Sequence, residues 1–454
     1  MAKRNADVVI VHAAELVTCG GPPEGIRGAA LQRLETIPDG ALAIRDGRIL
    51  AVGSTAEVSR RFAAPVTIDA SGRLVSPGLV DPHSHLLYGG TRHEEHEAKV
   101  TQRAPARRMD GGIRYTVRKT AEASDAELVA RAYADLDTML LHGTTTLEAK
   151  TGYGLERAAE LRLLRLTAGL RHAIDVVPTF LALHVLPEEY AGRRADYLAA
   201  AVGALEEASG LATYCDVSCD PICFTFDECL QVGAAARATG MKIRVHADQF
   251  GDARGALAAA RLHATAADHL DYASDEGFRA LAAAGTVATF LPGVTLHMCE
   301  MTPRFADGGL TDAEKPFMPL VVRRAIDAGV AVALSTDYNP GSCPTPSMQM
   351  VMALAARLFR LGYAEIWNMC TLNAARALDL AEDRGSLEAG KRADVAVWNV
   401  PSHGMAINRF GVNLVDTVIA DGAVVVEGGR LKRGRARRRA GAPARKAGAA
   451  MARM

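Results

Sequence analysis

The sequence predicts an α/β fold: a (β/α)8 barrel of the TIM type, carrying a small β-sandwich built from both chain termini. Three observations predict it. In the middle of the 454-residue chain, short apolar runs alternate eight times with amphipathic helical stretches. Nearly every run is apolar at its start and ends in polar or ionisable residues. The two ends of the chain instead carry β-rich, period-two runs split by Asp-Gly and Gly-Lys turns.

In chain order, the eight expected barrel strands are LVSPGLVDPHSH from Leu74, GTTTLEAK from Gly143, AIDVVPTFLALH from Ala173, TYCDVSCD from Thr213, MKIRVHAD from Met241, ATAADHLDY from Ala264, GTVATFLPG from Gly285 and AVALSTDYNPG from Ala331. Helical stretches such as DAELVARAYADLDTMLLH from Asp125 and FDECLQVGAAARATG from Phe226 fall between them. Residues 1–73 and 386–427 are expected to form the composite sandwich, because each half alone has too few strands to be stable. Residues 74–385 form the barrel, and residues 428–454 a basic tail expected to be disordered.

Composition narrows the function classes. Hydrophobic residues make up 49% of the chain, enough for a sizeable core. No apolar stretch reaches the roughly 18 residues of a membrane span, and the apolar run at the N-terminus is broken by Asp7, His12 and Glu15. Lys and Arg match Asp and Glu at 52 each, but ten of the basic residues lie from Gly428 onward, where there is no acid. The rest of the chain is therefore acidic, and nothing in it supports a nucleic-acid partner. Cys215, Cys219, Cys223 and Cys229 cluster without a C-x-x-C pair and read as reduced thiols, in keeping with a cytoplasmic protein.

The strand ends carry the chemistry. Active sites of this barrel sit where the strands end, and a strand packed into a core gains nothing by ending in histidine. His83 and His85, two apart on one strand, point to the same side and can reach one cation. His246 ends the fifth strand, His269 the sixth and Asp337 the eighth. Singly, each reads as a capping Asp or a hydrogen-bonded core His. Together they suit one divalent or trivalent metal ion per chain, zinc or iron, with a position left open for water. His83, His85, His246 and Asp337 are assigned to the metal. His269 is assigned beside it, facing substrate.

The order H-x-H, His, His, Asp on eight strands resembles the amidohydrolase superfamily. The longer stretches PGLVDPHSHLLYGGTR, GTTTLEAKTGYGLE, TFLALHVLPEEY, RVHADQF, ADHLDY and STDYNPGSCPTPSMQ, with NAARAL and GSLEAGKRADVAVW downstream, resemble its imidazolonepropionase family. The resemblance implies hydrolysis of the cyclic amide of 4-imidazolone-5-propanoate to N-formimidoyl-L-glutamate, in histidine degradation, by a homodimer. It implies catalytic roles for Asp337, His269 and Gln249. Arg92 would bind the propionate, and Tyr153, His184, Gln249, Asn339, Gly341 and Ser342 the rest of the substrate. Gln249 is expected one helical turn after His246. Lys150 ends the second strand, not the fourth, so a binuclear site bridged by a carbamylated lysine is not expected.

Two features depart from the family. After Arg92 this chain reads HEEHEAKVTQRAPARRMDGGI, which is shorter than in relatives and lacks their Gln-Gly-x-Ser-Tyr stretch. Cys343, His96 and His297 are also unexpected. A related ring with an acidic side chain, such as a hydantoin or thiohydantoin propionate, therefore stays open as substrate, as does deamination of a heterocycle. A non-catalytic ligand-binding barrel would be expected to lack one of the metal ligands, and all are present.

Overall fold

A strand that is apolar on both faces needs cover on both, which a parallel barrel wrapped in helices supplies. All seven residues of Thr144–Lys150 are buried, as are all six of Tyr214–Cys219. The structure, a computed structural model, describes residues 3–101, 111–300 and 318–432. Its eight-stranded parallel sheet takes the barrel strands in sequence order. They are Leu79–Asp81, Thr144–Lys150, Asp175–Leu183, Tyr214–Cys219, Lys242–Ala247, Ala266–His269, Val287–Phe290 and Val332–Leu334. Helices such as Asp125–Leu141 and Phe226–Ala238 run between them, each started by a capping box, Ser124 with Glu127 and Thr225 with Glu228.

The seam between strands one and eight is closed largely by one carboxylate. Asp81 accepts from the Thr336 N–H at 3.0 Å, from the Thr336 hydroxyl at 2.6 Å and from the Ser335 hydroxyl. Beyond it, Asp337 N–H donates to the His83 carbonyl at 3.0 Å and His85 N–H to the Tyr338 carbonyl at 2.8 Å. The chain segments carrying His83, His85 and Asp337 are thus stitched together by backbone.

Strands from both termini join in a nine-stranded sheet. Leu74–Pro77 is its joint: it runs parallel to Val8–Val17 on one side and antiparallel to Val395–Trp398 on the other. This corrects the sequence reading, which ran Leu74 straight into the first barrel strand. That strand begins at Leu79, because Leu74–Pro77 finds its hydrogen-bond partners in the terminal sheet. The expected disordered tail is also shortened, since Arg430–Leu431 pairs with Ala423–Glu427. Residues 433–454 lie outside the described residues. No described helix is long and apolar enough to cross a membrane.

The terminal sheet curls until two hairpin turns meet. Both are Asp-Gly turns with positive φ at each residue: Asp46 (+50°) and Gly47 (+74°), Asp421 (+52°) and Gly422 (+76°). A Cβ on Gly422 would stand 2.6 Å from the Cα of Gly47. Beneath them Leu42, Ile44, Ile49, Val395, Val397 and Ile419 share one buried cluster, so N- and C-terminal strands bury each other's side chains. Gly422→Val is expected to lower the unfolding free energy by about 2 kcal/mol or more, from left-handed strain plus the clash. Denaturant unfolding checks it; an unchanged midpoint would mean that the two turns do not constrain each other.

Candidate metal centre and active site

Side chains at the ends of neighbouring barrel strands share one mouth. His83 and His85 follow strand one, His246 lies in strand five, His269 ends strand six and Asp337 follows strand eight. All five are buried. The Nε2 atoms of His83 and His85 lie 3.4 and 3.5 Å from Oδ1 of Asp337. Candidate ligand atoms of His83, His85 and Asp337 all lie within 4.8 Å of one another, and so do those of His83, His246 and His269. The rings of His83 and His246 are 4.6 Å apart, centroid to centroid.

These residues fit a metal ion. Nε2 of His83, Nε2 of His246, Nδ1 of His269 and Oδ1 of Asp337 are all buried without a hydrogen-bond partner. Each such orphan costs about 1–3 kcal/mol, and a cation satisfies several at once through the nitrogen and carboxylate donors it favours. His269 (φ +76°) and Asp337 (φ +51°) also hold left-handed backbone, a strain that clusters at functional sites. His269 thus stands as close to the ligand group as the assigned metal residues do.

The opposite ring nitrogens explain why the free ones face the site. Nδ1 of His83 lies 2.8 Å from Asp268, and Nδ1 of His246 lies 3.0 Å from Asp216. Nδ1 of His85 lies 3.3 Å from the Thr151 carbonyl. An acceptor at Nδ1 puts the proton there and leaves the lone pair on Nε2. The two carboxylates are tied together by Lys150, whose Nζ is 2.6 Å from Asp216, 3.5 Å from Asp268 and 2.8 Å from Glu148. Arg244 donates to Asp268 at 3.1 Å and to the Pro82 carbonyl at 2.8 Å. Lys150 is therefore an ammonium paired with three carboxylates.

The electrostatics keep His85, His184 and His269 neutral. Burial and the neighbouring imidazole of His184 hold His85 well below the usual range. Burial takes His184 down to about 4 and His269 down to about 3. His83 differs. Burial and Lys150 push it down, but Asp268 and Asp337 outweigh them and raise it to about 9, so positive charge is favoured there.

The other expected site residues divide into two groups. Tyr153 and His184 join the cluster: the His184 ring stacks on His85 at 5.3 Å, and the Tyr153 ring lies 5.4 Å from His85. Their loop is clamped by Glu160, a buried carboxylate that the sequence reading did not single out. Glu160 accepts from the N–H groups of Gly152, Gly154 and Leu155 at 2.8, 2.7 and 2.6 Å. The Gly152 carbonyl in turn lies 2.7 Å from Nδ1 of His184. Arg92 is bound to Glu95, in the helix His93–Val100 that it precedes. Asn339 is spent locally. Its amide donates to the Asp337 carbonyl and the Ser342 hydroxyl and accepts from the N–H groups of Gly341 and Ser342, so it shapes the loop after strand eight. Gln249 is half-buried in a bend after strand five. The expected helical turn is absent because Asp220 accepts from Phe250 N–H and Asp248 from the N–H groups of Ala253, Gly255 and Ala256.

Glu148, Asp216, Asp268 and Arg244 were also missed, although each is a charged residue within a barrel strand. Such a charge is rarely buried unless paired. Lys150→Met is expected to weaken divalent-metal binding by about 10–100-fold, the usual effect of losing a group behind a metal histidine. Calorimetric titration of the metal-free protein measures this; unchanged affinity would show that the ionic group does not orient the histidines.

The amidohydrolase family model matches residues 74–425, and a model of the imidazolonepropionase-like composite domain of bacteria matches residues 40–64. An imidazolonepropionase of Symbiobacterium thermophilum is 42% identical over 95% of this chain and 100% of its own. One of Bacillus thuringiensis is 38% identical over 92% and 96%. Among solved structures, an adenosine deaminase from Xanthomonas campestris with bound zinc aligns with TM-score 0.63 at 19% identity, covering 95% of each chain. The zinc complex of atrazine chlorohydrolase from Arthrobacter aurescens TC1 aligns with TM-score 0.64 at 18% identity, covering 93% and 96%. These two share the fold. The extent and identity of the sequence matches go further: the chain belongs to the imidazolonepropionase family of amidohydrolases.

Proposed function

We propose that this barrel mouth hydrolyses the cyclic amide of 4-imidazolone-5-propanoate to N-formimidoyl-L-glutamate. One observation carries the reading: buried, unpartnered nitrogens and a carboxylate oxygen from strands one, five and eight gather in one place, in a chain 42% identical to an imidazolonepropionase along its length. The site takes one cation per chain, zinc or iron, held by His83, His85, His246 and Asp337. When bound, that cation supplies Lewis acidity and lowers the pKa of a water to about 7.

The chain's own residues do the rest. Asp337 accepts the proton of the attacking water and delivers it to the ring nitrogen as the carbon–nitrogen bond breaks and the carbon–oxygen bond forms. His269, kept neutral by burial, faces the oxygen on which charge develops. His184 and Tyr153 hold the ring, with Gln249, Gly341 and Ser342 as further substrate contacts; Asn339 acts through the loop it shapes. Arg92 pairs with the propionate and fixes the carbon in line for attack. The same reading makes the protein a cytoplasmic homodimer with a small-molecule substrate.

A turnover assay with freshly generated 4-imidazolone-5-propanoate, followed by loss of ultraviolet absorbance, tests the reaction. Metal content is determined on the same sample. Rapid loss with about one metal per chain is expected; a fully metallated protein without turnover would overturn the substrate. Asp337→Asn is expected to remove turnover by a factor of about 1,000 or more while the fold survives. Near-normal activity would remove Asp337 from proton transfer. Arg92→Ala is expected to raise KM for carboxylate-bearing substrates far more than for uncharged analogues. Equal changes for both would take Arg92 out of the carboxylate site.

A further inference from the structure

An arginine that recognises a carboxylate from a loop must give up side-chain freedom unless something already holds it. Arg92 is held. It stands at the start of the helix His93–Val100, and its Nε and Nη2 donate to the two oxygens of Glu95 at 2.9 and 2.8 Å. This is the two-pronged geometry in which a planar guanidinium binds a carboxylate.

Glu95 cannot turn away. A carboxylate offers about four acceptor positions, and here four donors use them. Besides Arg92's two, Lys99 donates through Nζ from one helical turn on, and the N–H of Gly112 donates at 2.7 Å. The residue is 8% exposed. Against the push of burial, Arg92, Lys99 and the Gly112 N–H hold its carboxyl down at about 2, so it stays ionised.

The clamp has a direction and a charge. With Nε and Nη2 taken, Nη1 is turned towards the loop after strand eight. There a Cβ on Gly341 would meet it at 2.0 Å. Arg92 thus spans from the strand-one loop to the strand-eight loop, beside the ends that carry His85 and Asp337. The two cations and one anion of Arg92, Lys99 and Glu95 leave a single positive charge, the complement of one carboxylate.

We propose that Glu95 is the positioning residue for the substrate's carboxylate. It fixes the guanidinium of Arg92 over Gly341, and with Lys99 it keeps the cluster at one net positive charge. The inference rests on the carboxylate-binding role proposed above for Arg92. Glu95 touches no reacting atom and acts through Arg92.

The test is a double-mutant cycle in the metal-loaded enzyme with 4-imidazolone-5-propanoate, using Glu95→Gln, Arg92→Ala and the pair. Glu95→Gln is expected to raise KM by about tenfold and to leave kcat within about twofold, because a lost prior orientation weakens binding and spares the chemistry. With Arg92→Ala already present, Glu95→Gln should change KM by less than about twofold. Glu95→Asp, too short to span both prongs, should behave like Glu95→Gln. Thermal unfolding of each variant shows that the fold survives. A Glu95→Gln effect of equal size with and without Arg92, or a fall in kcat matching the change in kcat/KM, would overturn the proposal and leave Arg92's role standing. An Arg92→Ala enzyme with unchanged KM would overturn Arg92's role first and this proposal with it.

Discussion

Much of this structure depends on one buried ionic group. Lys150 and Arg244 are enclosed with Glu148, Asp216 and Asp268, and none of these side chains reaches solvent. Taking such charges out of water costs several kcal/mol each, and close pairing recovers that cost only with good geometry. Three carboxylates against two cations leave one negative charge. Counting Asp337, these groups carry two negative charges, the balance of a divalent cation. The group also spans four strands, since Glu148 and Lys150 come from the second, Asp216 from the fourth, Arg244 from the fifth and Asp268 from the sixth. It therefore fixes the relative height of those strands as well as the aim of His83 and His246.

The polar contacts around it form nested shells with different tasks. Nearest the mouth are buried atoms that lack a hydrogen-bond partner. Behind them lie groups that serve the first set: Asp268 and Asp216 behind the histidines, and Glu160 behind the Tyr153 loop. Asp81 closes the seam on which His83 and Asp337 both depend. In each case a carboxylate accepts from several donors at once. That is a rigid device, because no single rotation can release it.

Much of this was legible in the sequence, and the limits have physical reasons. The barrel was readable because each strand announces itself twice, by an apolar run and by the polar residue that ends it. The clustering of these histidines was readable because His-x-His and the strand-end His and Asp are local patterns. Asp216, Arg244 and Asp268 were harder, since their partners lie on other strands and no spacing along the chain links them. The available signal was the cost of a charge within runs such as YCDVSC and KIRVHA. Glu160 sits in the first helical turn after its loop, where an acidic residue usually means only a favourable helix start. Leu74–Pro77 reads as continuous with the strand that follows, because both are apolar and a change of sheet leaves no mark in composition. The turn after His246 was misjudged because Asp248 and Asp220 draw the backbone donors that a helix would use.

The joint strand of the terminal sheet has a consequence for how the chain is made. Leu74–Pro77 pairs with Val395–Trp398, about 320 residues later. At a synthesis rate of about 5–20 residues per second, its antiparallel neighbour emerges tens of seconds after it. Throughout that interval the nascent protein carries a short apolar edge with open hydrogen-bonding groups, the kind of edge that recruits other strands. Every residue of the barrel mouth has been synthesised before that edge can close. Val395–Trp398 thus adds nothing to the reacting groups, yet it ends the period in which the new chain is most exposed to aggregation.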